Sequence, residues 1–309
     1  MPRPRTDGDE GFRLDGIELV RGKRSETRLR VLELADATWL ELPVIVLRGA
    51  KPGPVFYLGA AFHGDEVNGV DIATRFAGEV NLAQLRGTLI VVPAQNPLAL
   101  QAQHRYFVGH FLKSPLDQSP ADPWVSFPGD ADGNIAAQIA HTLFDRLMRH
   151  ARYLIDIHTP TTGGRYAPFA FLPPPDIGAA AEAAEAMAKI FGADFILSTR
   201  EGLYVSEQSP HVVLARRGAT AIGIELGEGG RLERAVSEQG LKGLPTSCAR
   251  SACCRARSRA SATAGSFARC ASCVPGAAAS SSAASSSRTR SARATSSRRS
   301  PISSASRPR

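Results

Sequence analysis

Four residues, His63-Gly64-Asp65-Glu66, sit between an apolar run and an amphipathic one. A histidine and a glutamate three positions apart lie on one side of a helical turn. Imidazole and carboxylate are donors of catalytic zinc sites. Taken alone, the pair reads equally well as a charged turn, because acids are favoured at helix N-termini. A catalytic zinc needs three protein ligands and one open position. The expected third ligand is His158, which closes the hydrophobic stretch Tyr153-Leu154-Ile155-Asp156-Ile157-His158. Asp156 alternates onto the same face and is placed to orient a neighbouring side chain from behind the ligands. The other histidines (His104, His110, His141, His150 and His211) fall in loops or on helix-like stretches, where solvated or structural roles are expected.

A hydrolytic zinc site also needs a general base and a group that stabilises developing negative charge. Glu225, in Ala221-Ile222-Gly223-Ile224-Glu225-Leu226, is an acid at the end of an apolar strand, a costly placement unless it has a partner or a task. Arg105, in the segment that follows Asn96-Pro97, is the expected electrophile. Each residue alone has an ordinary explanation: a core histidine, an ion-paired glutamate, a solvated arginine. Their conjunction at strand ends, or in the loop leaving one, points to chemistry.

The elements that must position these residues alternate. Residues 16–20, 28–34 and 42–49 read as short strands with turn residues between them. Pro54 to Phe62 is continuously apolar, the pattern of a strand buried on both faces. A helix from Glu66 to Val80 follows, then a buried strand from Gly87 to Pro97. A long Pro/Asp-rich loop spans Leu98 to Gly133; loops of that length are functional or disordered. Ile135, Ile139, Leu143 and Leu147 repeat every fourth residue, giving an amphipathic helix. Strands are expected at 153–159, 168–173, 194–199 and 219–227, and helices at 178–192 and 232–244. Strands alternating with helices give an α/β fold with a mostly parallel mixed sheet flanked by helices. Such sheets collect ligands at the carboxyl ends of their strands, where His63, Glu66, Asn96, Asp156, His158 and Glu225 fall.

The formal net charge of the 309 residues is +8. From Thr246 to Arg309 there are 12 Arg and no Lys, Asp or Glu, which leaves −4 for the rest. The folding part therefore has no basic footprint for nucleic acid. All five cysteines (Cys248, Cys253, Cys254, Cys270, Cys273) lie in that same stretch, and their spacing is wrong for a zinc knuckle. The N-terminus lacks the apolar segment of a signal peptide, and no window is long and apolar enough to span a membrane. A cytoplasmic protein without membrane or nucleic-acid partners is expected.

Residues 246–309 form an Arg/Ser-rich, low-complexity segment expected to be disordered. Its composition is that of a GC-rich gene read in the wrong frame, and an alternative frame can continue the preceding amphipathic helix. The expected organisation is a β segment (1–42) packed on a catalytic domain (43–245), followed by this tail.

The motifs "HGDE", "NPLALQAQHRYF", "FPG", "DIHT" and "GIELG", in this order between about Pro43 and Gly243, resemble the succinylglutamate desuccinylase/aspartoacylase family, a branch of the zinc carboxypeptidase-like fold. The resemblance implies that His63, Glu66 and His158 bind one zinc ion. It implies that Glu225 is the general acid/base and that Arg105 polarises the scissile carbonyl of a small N-acyl substrate. Two departures stand out. The family commonly reads "DLNRxFPG", whose Asn-Arg pair grips a substrate carboxylate, whereas this chain has Trp124 and Val125 there. Val cannot replace a bidentate arginine. With Arg105, Asn96 and Trp124 are the expected substrate contacts. The family's small β-rich C-terminal domain is also replaced by the Arg/Ser segment. The expected activity is zinc-dependent hydrolysis of an N-acyl amine or N-acyl amino acid by a possible homo-oligomer. The alternatives are a metallocarboxypeptidase acting on peptides, and an inactive relic or Arg-tail binding protein.

Overall fold

The structure is a computed structural model and describes residues 9, 12–14, 17–107 and 121–248. All lie in the first of two compact units, Met1–Pro275; the second, Gly276–Arg309, is outside the described residues. Among the described residues, eight strands form one sheet: β1 (Lys23–Glu33), β2 (Trp39–Arg48), β3 (Lys51–Ala60), β4 (Arg86–Val92), β5 (Tyr153–His158), β6 (Arg165–Phe171), β7 (Phe195–Leu197) and β8 (Thr220–Glu228). Their order is β1-β2-β4-β3-β5-β8-β6-β7. The central four, β4-β3-β5-β8, are mutually parallel. β2 and β6 flank them in the opposite sense, β1 forms a hairpin with β2, and β7 runs parallel to β6.

The helices are α1 (Val67–Glu79), α2 (Pro97–Ala102), α3 (Ile135–Arg146), α4 (Ala179–Phe191), α5 (Pro210–Arg216) and α6 (Arg234–Cys248). On one sheet face Phe56, Leu58, Ile155 and Ile222 pack with Ile72 and Phe76 of α1, Met187 of α4 and Leu241 of α6. On the other, Val46, Tyr57, Ile90 and Leu154 pack with Ile139 and Leu143 of α3 and Leu214 of α5. The two-residue period of β3 sends Tyr57 and Leu58 to opposite cores. Each fully buried side chain of this kind contributes roughly 1.5–3 kcal/mol relative to exposure.

Several expectations shift. Residues 17–20 do not pair as a strand. They bend instead, with Ile17 N–H on the Leu14 carbonyl and Arg48 on that of Leu19. The strand expected at 194–199 shortens to Phe195–Leu197. The boundary expected between residues 42 and 43 falls inside β2, which joins the common sheet through β4. The long loop contains α2 and a 3-10 turn at Pro123–Val125, both capped by side chains, Asn96 and Asp122. Apart from the end of α6, the Arg/Ser tail lies outside the described residues, as does His110.

Because β3, β4, β5 and β8 run the same way, their carboxyl ends meet at one edge. There His158 is the register partner of Glu225. Among the described residues, no helix is long and apolar enough to cross a membrane.

Candidate metal centre and substrate cleft

The chain leaves β3 through Ala61, whose φ of 52° is left-handed. For a residue with a Cβ that conformation costs roughly 1–3 kcal/mol. Two bonds from β4's exit hold the bend: Gln95 N–H to the Ala60 carbonyl (2.9 Å) and Asn96 N–H to that of Ala61 (3.0 Å). Gly64 then passes so close to α2 that a Cβ would lie 1.8 Å from the Ala99 carbonyl oxygen. Asp65 accepts from the backbone and hydroxyl of Thr162 (2.8 and 3.1 Å), tying the turn to the loop after β5. Glu66 occupies the N-cap position of α1, but its side chain makes no capping bond. It points to the histidines instead.

His63 Nδ1 lies 2.5 Å from Glu66 Oε1, and His158 Nδ1 lies 3.0 Å from Glu66 Oε2. Each imidazole is held from behind by an aspartate: His63 Nε2 is 3.1 Å from Asp122, and His158 Nε2 is 2.7 Å from Asp156. A carboxylate can only accept, so both Nε2 atoms are donors and both Nδ1 atoms face Glu66. All three side chains are buried, and one ligand atom from each lies within 4.8 Å of the others.

The surrounding carboxylates govern how the two imidazoles hold protons. Burial pulls the His63 imidazole down, yet the Glu66 and Asp122 carboxylates outweigh it and lift it to about 9. Burial likewise opposes charge on His158, and Asp156 and Glu66 carry it well above the ordinary value. Burial pushes Glu66 up, but His63 and His158 hold it near 2. Two nitrogens and one carboxylate, desolvated and aimed at one point, fit the donor set of a catalytic zinc site.

Glu225 is buried, with Oε1 accepting from the Tyr204 hydroxyl (3.2 Å) and Oε2 without a hydrogen-bond partner. Burial lifts its carboxyl to about 7, against the lowering effect of His158. The guanidinium of Arg105 lies 3.5 Å from Glu66 and reaches the hydroxyls of Tyr106 (3.3 Å) and Thr161 (3.4 Å). These groups line a cleft of about 310 Å³ that includes His63, Arg105, Trp124, Phe171, Tyr204 and Glu225. Phe171 and Tyr204 form its aromatic wall, with ring centroids 4.7 Å apart. Trp124 meets His158 edge-on (5.6 Å) and stacks on His211 (5.8 Å). His211 is buried, and burial together with the nearby charge of His158 lowers it to about 3, against the raising effect of the Tyr204 backbone.

The structure thus brings His63, Glu66, His158, Glu225, Arg105 and Trp124 together. Asn96 is the exception among the expected substrate contacts. Its amide donates to the Phe62 carbonyl (3.1 Å) and accepts from Ala99 N–H (3.2 Å), and it is buried away from the residues that line the cleft. Sequence reasoning missed Asp122, Tyr204 and Gln95. Asp122 had a faint signal, as the acid preceding Trp124 in the motif. Tyr204 and Gln95 had none, because only the folded sheet brings them to the site.

Residues 52–249 match the catalytic domain of the succinylglutamate desuccinylase/aspartoacylase family, and the chain belongs to that family. It is 29% identical over 214 residues to the N-alpha-acetyl-L-2,4-diaminobutyric acid deacetylase of Halomonas elongata, which covers 67% of this chain. The chain spans only 58% of that relative's length. The solved succinylglutamate desuccinylase/aspartoacylase of Rhodobacter sphaeroides is 25% identical, with a TM-score of 0.64 over 76% of this chain and 67% of that one. The product-bound ectoine utilization protein EutE (DoeB) of Ruegeria pomeroyi is 26% identical, with a TM-score of 0.61 over 76% of this chain and 69% of that one.

Proposed function

We propose that the chain is a zinc-dependent deacylase that hydrolyses the amide of a small N-acyl amine or N-acyl amino acid. One observation carries the reading: a buried His63–Glu66–His158 cluster opens on the same cleft as the half-satisfied, desolvated carboxylate of Glu225. Family membership and the deacetylase named among the relatives support the reaction class.

His63, Glu66 and His158 would hold the metal, which when bound supplies Lewis-acid polarisation and a more acidic water. Glu225 takes a proton from the attacking water and returns it to the leaving nitrogen, which needs a carboxyl poised near neutrality. Tyr204 fixes one oxygen of that carboxylate and leaves the other for proton exchange. Arg105 directs guanidinium N–H groups at the carbonyl oxygen as negative charge builds there. Trp124, Phe171 and Tyr204 exclude water from the cleft, which strengthens each of these interactions.

The substrate contacts differ from the family's usual carboxylate grip, because Trp124 and Val125 line the cleft where the resemblance has Asn and Arg. The proposed substrates therefore lack a second carboxylate. A panel of N-acetyl amines, N-acetyl amino acids and N-succinyl amino acids, assayed with zinc, tests this. Cleavage of the first two groups over the third is expected. Release of C-terminal residues from peptides, with no deacylation, would favour a carboxypeptidase instead.

A further inference from the structure

Behind His158 a polar chain runs into the apolar layer between β3 and α3. The Tyr57 hydroxyl donates to Gln95 Oε1 (2.7 Å), Gln95 Nε2 donates to Asp156 Oδ1 (2.8 Å), and Asp156 Oδ2 accepts from His158 Nε2 (2.7 Å). Tyr57, Gln95 and Asp156 are all buried. Its direction follows from the acceptor-only carboxylate. Asp156 must receive N–H from both sides, so the amide turns its nitrogen inward and its oxygen to Tyr57, which must donate. The sequence keeps space for this chain. Gly59 is the register partner of Asp156, and a Cβ on it would lie 2.4 Å from Gln95 Oε1. Polar groups sunk in an apolar core are costly unless every member is satisfied, and a fully satisfied series is rigid.

We propose that Tyr57 and Gln95 are positioning residues of the metal centre: acting through Asp156, they fix the ring orientation and Nε2–H tautomer of His158, so that Nδ1 is presented as the ligand. The proposal rests on the metal reading of His63, Glu66 and His158. Gln95 occupies the aspartate oxygen that His158 does not, which keeps the carboxylate from swinging away. Acceptor-only Asp156 forbids a flipped Gln95 amide, whose oxygen would face the carboxylate, and the Tyr57 hydroxyl donates to the other end of the amide and holds it in place. The device is asymmetric. Asp122, behind His63, takes its other bond from the backbone N–H of Trp124 (2.9 Å), in the 3-10 turn beside the cleft.

The test is a zinc competition titration of the full chain, paired with NMR of the His158 Nε2 proton in the zinc-loaded protein. Gln95→Met keeps the volume and removes both polar atoms. Tyr57→Phe removes one hydroxyl. Gln95→Met is expected to weaken zinc binding about 10–100-fold, the usual cost of losing such a partner. Tyr57→Phe should weaken it less, and both should speed exchange of the Nε2 proton with solvent. Ile90→Val, a core change at the register partner of Tyr57, should lower thermal stability without moving either readout. Unchanged zinc affinity and unchanged proton exchange in Tyr57→Phe and Gln95→Met would overturn the proposal. If Gln95→Met does not fold, Tyr57→Phe decides alone. A parent chain that binds no zinc would refute the metal reading, which is a different result from a binding parent with unaffected variants.

Discussion

Glu66 shows how little one side chain can do alone: it is a candidate ligand only because two imidazoles from different strand ends converge on its two oxygens. Glu225 depends on its surroundings in the same way. Burial raises its carboxyl to about 7, and the base form is the deprotonated one. Activity should therefore rise with pH through roughly 7 and level off above. The Tyr204 hydroxyl stabilises the charged form of Glu225. Tyr204→Phe should then move the acidic limb of kcat/KM to higher pH, and a limb that stays or moves to lower pH would contradict the assignment. Asn96 belongs to stability. Asn96→Ala should cost about 1 kcal/mol through loss of the α2 cap, read as a lower Tm, and should leave the pH profile in place.

Elements decide whether these residues meet. Gly64 lets the ligand-bearing turn rest on α2, and a methyl group there collides with the Ala99 backbone. Gly64→Ala should lower zinc affinity more than ten-fold, because backbone cannot yield as a flexible side chain can; a titration matching the parent would show the turn to be looser than described. At the 3-10 turn, replacing Trp124 by Asn and Val125 by Arg together should improve kcat/KM for N-succinyl over N-acetyl substrates, since a bidentate guanidinium suits a carboxylate. At this scale the sequence was legible where periodicity was strong: β3, β4, β5, β8 and α1 lie close to where apolar runs and spacing put them. It was less legible where neighbours decide. Residues 17–20 have strand-like composition, but their carbonyls are claimed by Arg48 and a turn. The candidate cluster was readable because His and Glu are rare at apolar strand ends. Gln95 and Tyr204 were not, since nothing local distinguishes them from ordinary polar residues.

The described residues form a sheet whose four central parallel strands deliver their carboxyl ends to one edge, with helices sealing both faces. That arrangement brings His63, His158 and Glu225, spread over 162 positions of chain, into one buried site. The central claim is that His63, Glu66 and His158 form a single metal site. Metal content of the purified full chain, beside a His158→Ala variant, tests it most directly. The account predicts about one zinc per parent chain and little in the variant. Full zinc occupancy in His158→Ala would contradict it.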